Sequence, residues 1–225
     1  MSNAVTENTV YDAVVVGGGP AGATAAQALA EQNHKVLLID KPGRIKPCGG
    51  AIPPRLVRDF DIPETQIVAR ANTARMVSPK GRIVDMPING GSVAMVDREH
   101  FDEWLRQRAE RCGAVRLNGE YIGLERDSAG QAIILCRRAD ADRADPPLRI
   151  RTKTVIGADG ARSKVASQEV TGEQPKSVFA YHEIIQSPQQ ADPNRFEGSR
   201  CEIRYDGKLS PDFYAWIFPH GDTTS

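Results

Sequence analysis

Short β-branched runs and one helical stretch make up the first part of the chain, and turns and strands dominate the rest. Tyr11–Val16 reads Tyr-Asp-Ala-Val-Val-Val and runs into glycines, the pattern of a strand buried on both faces of a parallel sheet. Pro20–Gln32 is alanine-rich, with a proline in the first turn where its missing N–H costs nothing, and predicts a helix. Lys35–Asp40 predicts a second buried strand. Strand, glycine turn, helix and strand in this order form a βαβ unit with a right-handed crossover.

Seven prolines and glycines between Lys41 and Pro54 predict a long shaped loop, a feature that in compact domains tends to carry function. Ala71–Ser78 and Arg82–Pro87 flank Lys80-Gly81 as a hairpin. Asp97–Cys112 gives the best helix pattern: Asp97 can cap it, Phe101, Leu105 and Ala109 recur every four residues, and Gly113 stops it. Strands are predicted at Ala114–Leu117, Tyr121–Arg126 and Gln131–Arg137. The Asp/Arg run from Ala139 to Pro147 reads as a solvated hairpin loop, and strands follow at Arg149–Arg151 and Lys153–Gly157. Beyond Gly172, strands at Val178–Gln186, Cys201–Tyr205 and Phe213–Phe218 follow one another without helices, so α/β architecture changes there to a mostly antiparallel β layer.

Composition narrows the classes. With 225 residues, 40% hydrophobic and 26% charged, the chain can bury a core. Twenty-nine basic and 29 acidic side chains leave no net field to draw in a polyanion, so no nucleic-acid partner is expected. The most apolar stretch, Ala13–Ala30, is broken by four glycines and a proline, and the N-terminus lacks the pattern of a secretory signal; no membrane span and a cytoplasmic location are expected. Cys48, Cys112, Cys136 and Cys201 are far apart, form no CxxC pair and have no histidine at ligand spacing, which predicts neither a disulfide framework nor a metal site. His34, His100, His182 and His220 fall in unrelated settings.

The first chemical motif is Gly17-Gly18-Gly19-Pro20-Ala21-Gly22, a G-x-G-x-x-G between a predicted strand and a predicted helix. Gly17 permits the tight turn, Gly19 lets backbone approach a pyrophosphate, and Gly22 lets the helix lie close to the strand. The helix N-terminus adds N–H groups and partial positive charge for phosphates. Asp40 closes the next strand, where an acidic side chain accepts hydrogen bonds from an adenosine ribose and repels a 2′-phosphate, so FAD or NAD fits better than NADP. Arg98 sits in the first turn of its helix, against the macrodipole, with Glu99 and Asp102 as local counter-charges.

A second fingerprint, Gly157-Ala158-Asp159-Gly160-Ala161-Arg162-Ser163, follows an apolar strand. With it the sequence resembles the flavoprotein family of p-hydroxybenzoate hydroxylase and the geranylgeranyl reductases. Lys46-Pro47-Cys48-Gly49-Gly50-Ala51 resembles the reductases' flavin-side loop, and Pro211-x-x-Tyr214-x-Trp216-x-Phe218-Pro219 resembles their substrate motif. Asp97-Arg98-Glu99-x-Phe101-Asp102 extends the resemblance, and Cys-Gly-Gly-Ala-Ile-Pro is most similar to the (bacterio)chlorophyll branch.

The resemblance implies a p-hydroxybenzoate hydroxylase-like fold. Residues 9–172 would form a Rossmann-like FAD-binding domain with a hairpin inserted at 71–96, and 173–225 would begin an antiparallel β-sheet substrate domain. It also implies an N-terminal piece of a longer protein, because the family's third flavin motif is absent. FAD would be held by Gly17, Gly19, Gly22, Asp40, Arg98, the backbone of Ile122 and Asp159, with Cys48, Gly49 and Ala51 beside the flavin ring. Cys48 is a candidate proton donor. NADPH is implied as transient reductant, and a polyprenyl chain as substrate, along an aromatic face of Tyr214, Trp216 and Phe218. The implied reaction is saturation of isolated C=C bonds of a geranylgeranyl chain, at most in peripheral contact with a photosynthetic membrane. Aromatic monooxygenase or halogenase chemistry, or a silent flavin-binding fragment, are the alternatives. The strand carrying Tyr214 and Trp216 has two apolar faces and is expected to be buried.

Overall fold

The computed structural model describes residues 5, 9–43, 47–173, 176–189 and 195–225; Lys46, the first residue of the Lys-Pro-Cys-Gly-Gly loop, lies outside them. The first half of the chain contains β1 (Val10–Val16), α1 (Pro20–Glu31), β2 (Val36–Asp40), β3 (Ala51–Ile52), α2 (Pro54–Asp59), β4 (Ala69–Ala71), β5 (Thr73–Val77), β6 (Ile83–Pro87), β7 (Val93–Met95) and α3 (Arg98–Arg111). The second half contains β8 (Val115–Arg126), β9 (Ala132–Arg138), β10 (Leu148–Gly157), α4 (Lys164–Glu169), β11 (Ile185–Gln186), β12 (Arg200–Arg204), β13 (Ala215–Ile217), β14 (Pro219–His220) and β15 (Thr223–Thr224). Among the described residues no helix is long and apolar enough to cross a membrane. The residues group into two units, Met1–Arg44 with Asp102–Pro175 and Ile45–Phe101 with Lys176–Ser225.

The first unit is an α/β layer whose strand pairings close on themselves in the order β1-β10-β9-β8-β2. β1 lies between β2 and β10, parallel to both, and β2 pairs in parallel with the start of β8. The later part of β8 and the start of β10 pair antiparallel with β9. Val14, Leu37, Ile39, Ile134, Cys136 and Ile150 are buried between the layers, as the apolar strand pattern requires. Helix α1 buries only small residues, Gly22, Ala23, Ala26 and Ala30, which lets its axis lie close to the strands.

Both long strands cover what the sequence divides in two. β8 was expected as 114–117 and 121–126, because Asn118, Gly119 and Glu120 interrupt the apolar pattern. It is continuous because it changes partner there, from β2 up to Asn118 to β9 from Gly119. A Cβ on Gly119 would lie 2.7 Å from Cys136 Sγ, so the glycine permits the close crossing. β10 likewise runs through Thr152, a fully buried residue where pairing passes from β9 to β1.

In the second unit, β13-β12-β5-β6 form a four-stranded sheet, with two three-stranded sheets, β3-β7-β4 and β11-β15-β14. The β5–β6 hairpin is where the sequence places it, closed by Ser78 N–H to the Arg82 carbonyl at 2.9 Å. β12 pairs in parallel with β5, so the sheet is mixed rather than simply antiparallel. That pairing also groups residues 45–101 with 176–225, whereas the boundaries expected from the chain were 9–172, with only 71–96 inserted, and 173–225. Of the strand expected at 178–186 only Ile185–Gln186 is paired among the described residues. Val178, Phe179, Tyr181 and Ile184 are exposed, and among the described residues no strand pairs with them. The strand expected to be buried over 213–218 is the three-residue β13, at the sheet edge. Residues 214–218 are half-buried and Phe213 is exposed, because β12 is β13's one pairing partner.

Candidate active site

The glycine turn follows from close contacts of three kinds. Gly17 leaves β1 with φ +104°, and a Cβ there would sit 2.4 Å from the Ala158 carbonyl oxygen. Ala158 N–H donates to the Val16 carbonyl at 2.8 Å, so the two fingerprints, distant in sequence, meet backbone to backbone. Gly22 in α1 is equally tight, with a Cβ position 1.8 Å from the Gly17 carbonyl oxygen. Gly18 faces Asp40, whose side-chain atoms would lie 2.7 to 2.8 Å from its Cβ. Gly19 differs from all of these: among the described residues nothing beyond its chain neighbours and its own helix lies within 4 Å of its Cβ position.

Helix α1 therefore starts at an uncluttered backbone. Gly19 is its N-cap in extended conformation, no side chain caps it, Pro20 removes one donor, and no acidic residue occupies the first turn. The remaining first-turn N–H groups have no partner inside the helix, which suits an anion. The open space at Gly19 and the free helix start fit the pyrophosphate of an adenine dinucleotide.

Asp40 ends β2 beside this turn. Its Oδ1 accepts from Gly18 N–H at 2.9 Å and its Oδ2 from Arg106 Nη1 at 3.1 Å. Arg106 Nε donates to Glu103 at 3.0 Å, and Glu103 takes both forks of Arg116 at 2.7 and 2.9 Å. The Arg116 and Arg106 guanidiniums hold the Glu103 carboxyl down at about 2, against its ordinary 4.5, although burial opposes them. None of these three partners was picked out from sequence. The i,i+3 spacing of Glu103 and Arg106 on one helix was the available signal.

A pH prediction follows. Because the folded pKa of Glu103 is depressed, its contribution to stability is complete above about pH 4.5 and is lost as pH falls toward 2. The carboxylate is more than a third exposed, so solvent screening reduces the contribution to ~1–2 kcal/mol. Glu103→Gln is expected to lower the urea midpoint at pH 7, with the gap to wild type narrowing between pH 4.5 and 2. A gap that does not change with pH would contradict this assignment.

Asp159 lies against Gly17 at the backbone, with its Cα 2.8 Å from the Gly17 Cβ position. Its carboxylate turns to α4, accepting from the Ser163 hydroxyl, from Lys164 N–H at 2.7 Å and from Val165 N–H at 3.3 Å. The Asp159 carboxylate thus ties the second fingerprint to the start of α4, whose N-cap is Ser163. Ile122 sits at a bulge in β8, half-buried, and its carbonyl accepts from Gln168 of α4 at 3.4 Å. Arg98 begins α3 and is half-buried; Asp97 Oδ1 accepts from Glu99 N–H at 2.9 Å, the cap expected from sequence.

The second unit gathers the other predicted residues. Gly49 is buried, and a Cβ on it would lie 2.6 Å from the Phe218 ring and 3.0 Å from Trp216 Nε1. Gly50, at φ +64°, accepts Val96 N–H at 2.9 Å, and Ala51 then pairs with Met95. Tyr214, Trp216 and Phe218 form one row, with ring centroids 6.3 Å apart at each step. His220 continues the row: its Nδ1 is 2.9 Å from the Phe218 carbonyl, and its Nε2 would be 2.8 Å from a Cβ on Gly50. Sequence reasoning gave His220 no role, although it extends the alternation of Tyr214, Trp216 and Phe218. Cys48 is exposed, whereas burial pushes the Cys136 thiol up to about 12 and the Cys201 thiol up to about 11 and so keeps both unreactive.

Fold and glycine turn together are those of a dinucleotide-binding domain. Residues 11–193 match the pyridine nucleotide-disulphide oxidoreductase family, and the chain belongs to it. The chain is 53% identical, over 96% of its own residues and 53% of the relative's, to geranylgeranyl diphosphate reductase of Rhodobacter capsulatus. It is 36% identical, over 92% of the chain and 46% of the relative, to the chloroplastic enzyme of that name from Oryza sativa subsp. japonica. These identities bear out the resemblance read from the motifs, and the chain spans about half the length of the curated relatives it matches. Among solved structures, a geranylgeranyl bacteriochlorophyll reductase-like protein from Thermoplasma acidophilum superposes with a TM-score of 0.75 at 24% identity, over 96% of this chain and 55% of that one. The flavin-dependent brominase Bmp2 gives 0.71 at 18% identity, over 96% and 54%, which shows the shared fold.

Proposed function

We propose that the protein is an FAD-dependent reductase that saturates isolated C=C bonds of a geranylgeranyl chain, as the diphosphate or as a (bacterio)chlorophyll ester, toward phytyl. Support comes from the names of the relatives, and from 53% identity to a named reductase against 18% to the brominase. The observation that carries the reading is the contact of Gly49 with Trp216 and Phe218, which makes the Cys-Gly-Gly loop and the aromatic row one site within one unit. Glycine there leaves the rings no intervening side chain, so the loop backbone can form one wall of an apolar slot. Burying an isoprenoid at ~0.8 kcal/mol per CH₂-sized group gives such a slot ample gross affinity without charged residues.

Gly17, Gly19, Gly22 and the start of α1 would hold the FAD pyrophosphate, Asp40 the ribose, and Arg98, Ile122 and Asp159 the remaining contacts assigned to the adenine and flavin ends. When bound and reduced, the flavin supplies a hydride to one alkene carbon while a proton reaches the other. NADPH is assigned as the source of reducing equivalents. An unactivated alkene reacts only if it is held close and kept dry, and that is the work of the aromatic row. Cys48 is the exposed thiol at the head of the loop and is assigned to proton delivery or alkene orientation. A polyprenyl substrate implies supply from a membrane surface, by peripheral contact.

Mass spectrometry of geranylgeranyl diphosphate after incubation with the protein and dithionite-reduced FAD tests the reading. Products heavier by two hydrogens per step are expected. Addition of an oxygen atom or a halogen under aerobic turnover would contradict it in favour of monooxygenase or halogenase chemistry, and unchanged substrate with retained FAD would mark a silent flavin-binding module.

A further inference from the structure

Asp40 ends β2, and its carboxylate is held from two sides. Oδ1 accepts from Gly18 N–H and Oδ2 from Arg106 Nη1, which leaves each oxygen one lone-pair direction. Two acceptors a carboxylate's width apart match the two adjacent hydroxyls of a ribose. Arg106 Nη1 also donates to the Gly18 carbonyl at 3.1 Å, so both polar groups of Gly18 are tied to the Asp40–Arg106 pair. The Arg106 side chain is only 12% exposed, and its Nε is fixed by Glu103, itself gripped by Arg116. Negative and positive groups alternate through Asp40, Arg106, Glu103 and Arg116, and Glu110 lies 3.8 Å from Arg116 at the end of the series, so none of these arginines is left over for a phosphate. Its members come from β2, the part of α3 after Phe101, and β8, all in the first unit.

We propose that Arg106 is a positioning residue: it sets the Asp40 carboxylate and the Gly18 peptide in the orientation that receives the adenosine ribose hydroxyls, and by being consumed in that task it makes the site select an unphosphorylated ribose. This rests on the reading of the glycine turn as an FAD site. A planar guanidinium is required because Gly18, Asp40 and Glu103 are reached from two nitrogens of one rigid fork, a geometry an ammonium cannot copy.

The test titrates wild type, Arg106→Gln and Arg106→Lys with FAD and with an FAD analogue whose adenosine ribose lacks both hydroxyls, followed by flavin fluorescence. Arg106→Gln is expected to weaken FAD about tenfold or more, the usual effect of losing a charge-assisted hydrogen bond, and Arg106→Lys to recover part of the loss. The analogue should bind all three proteins within about twofold, because the hydroxyls through which Arg106 acts are gone. Comparing two ligands on one variant cancels any change in folding. Equal weakening of both ligands would reduce Arg106 to a structural residue and overturn the proposal, as would FAD binding unchanged in Arg106→Gln. A wild-type protein that binds neither ligand would overturn the FAD reading itself, an outcome distinct from the other two.

Discussion

Gly17→Ala is expected to cost at least ~4 kcal/mol and to lower the melting temperature by more than ~10 °C, an effect in the range reserved for a core or backbone defect. Two independent penalties combine. At φ +104° an L-residue with a Cβ is strained by ~1–3 kcal/mol. The new Cβ would also overlap the Ala158 carbonyl, 2.4 Å away, and that oxygen cannot withdraw, because Ala158 N–H is bonded to Val16 and β10 is paired with β1 up to Gly157. Gly17 N–H donates to Ile39 at 2.8 Å, so moving residue 17 would also break the tie to β2. Against a total stability of ~5–15 kcal/mol, that removes between about a quarter and four-fifths of the margin. Circular dichroism melts measure it directly, and a variant melting within a degree or two of wild type would mean that the two fingerprints do not touch as described.

What the sequence made legible was local. The βαβ unit, the Asp97 cap and the β5–β6 hairpin each follow from residues close together in the chain: a proline at a helix start, an aspartate before a helix, Ser78 and Arg82 about a glycine turn. The glycine fingerprint was legible because its spacing reports two close backbone approaches, at Gly17 and Gly22, and the open backbone at Gly19. The strand joins at Gly119 and Thr152 were not, since a change of pairing partner leaves no mark on periodicity; a polar or small residue there looks like a break. Nor was the Asp40–Arg106–Glu103–Arg116 cluster, in which Asp40 lies far along the chain from its partners and the charges on α3 resemble any solvated helix face. The edge position of β13 was hidden for a related reason. An apolar alternation on both faces reads as burial, and it reads the same whether the second face meets the core or lines an open slot.

Gly19→Ala is expected to separate the fold from the cofactor. Gly19 has φ −72° and ψ −177°, which any residue adopts, and among the described residues nothing stands within 4 Å of its Cβ position, so no contact among them requires glycine there. The cost to the apoprotein should be at most ~1 kcal/mol, the difference between glycine and alanine as helix N-caps. The demand for glycine comes from outside the chain: a methyl group at that point occupies the space through which backbone approaches a pyrophosphate. Affinity for FAD should therefore fall by about a hundredfold or more, ~2.7 kcal/mol of lost binding. The decisive measurement is an FAD titration of wild type and Gly19→Ala beside their melting curves without ligand. Near-identical melts with a binding curve displaced by two decades are predicted; a variant that takes up FAD as tightly as wild type would contradict the placement of the dinucleotide on this turn.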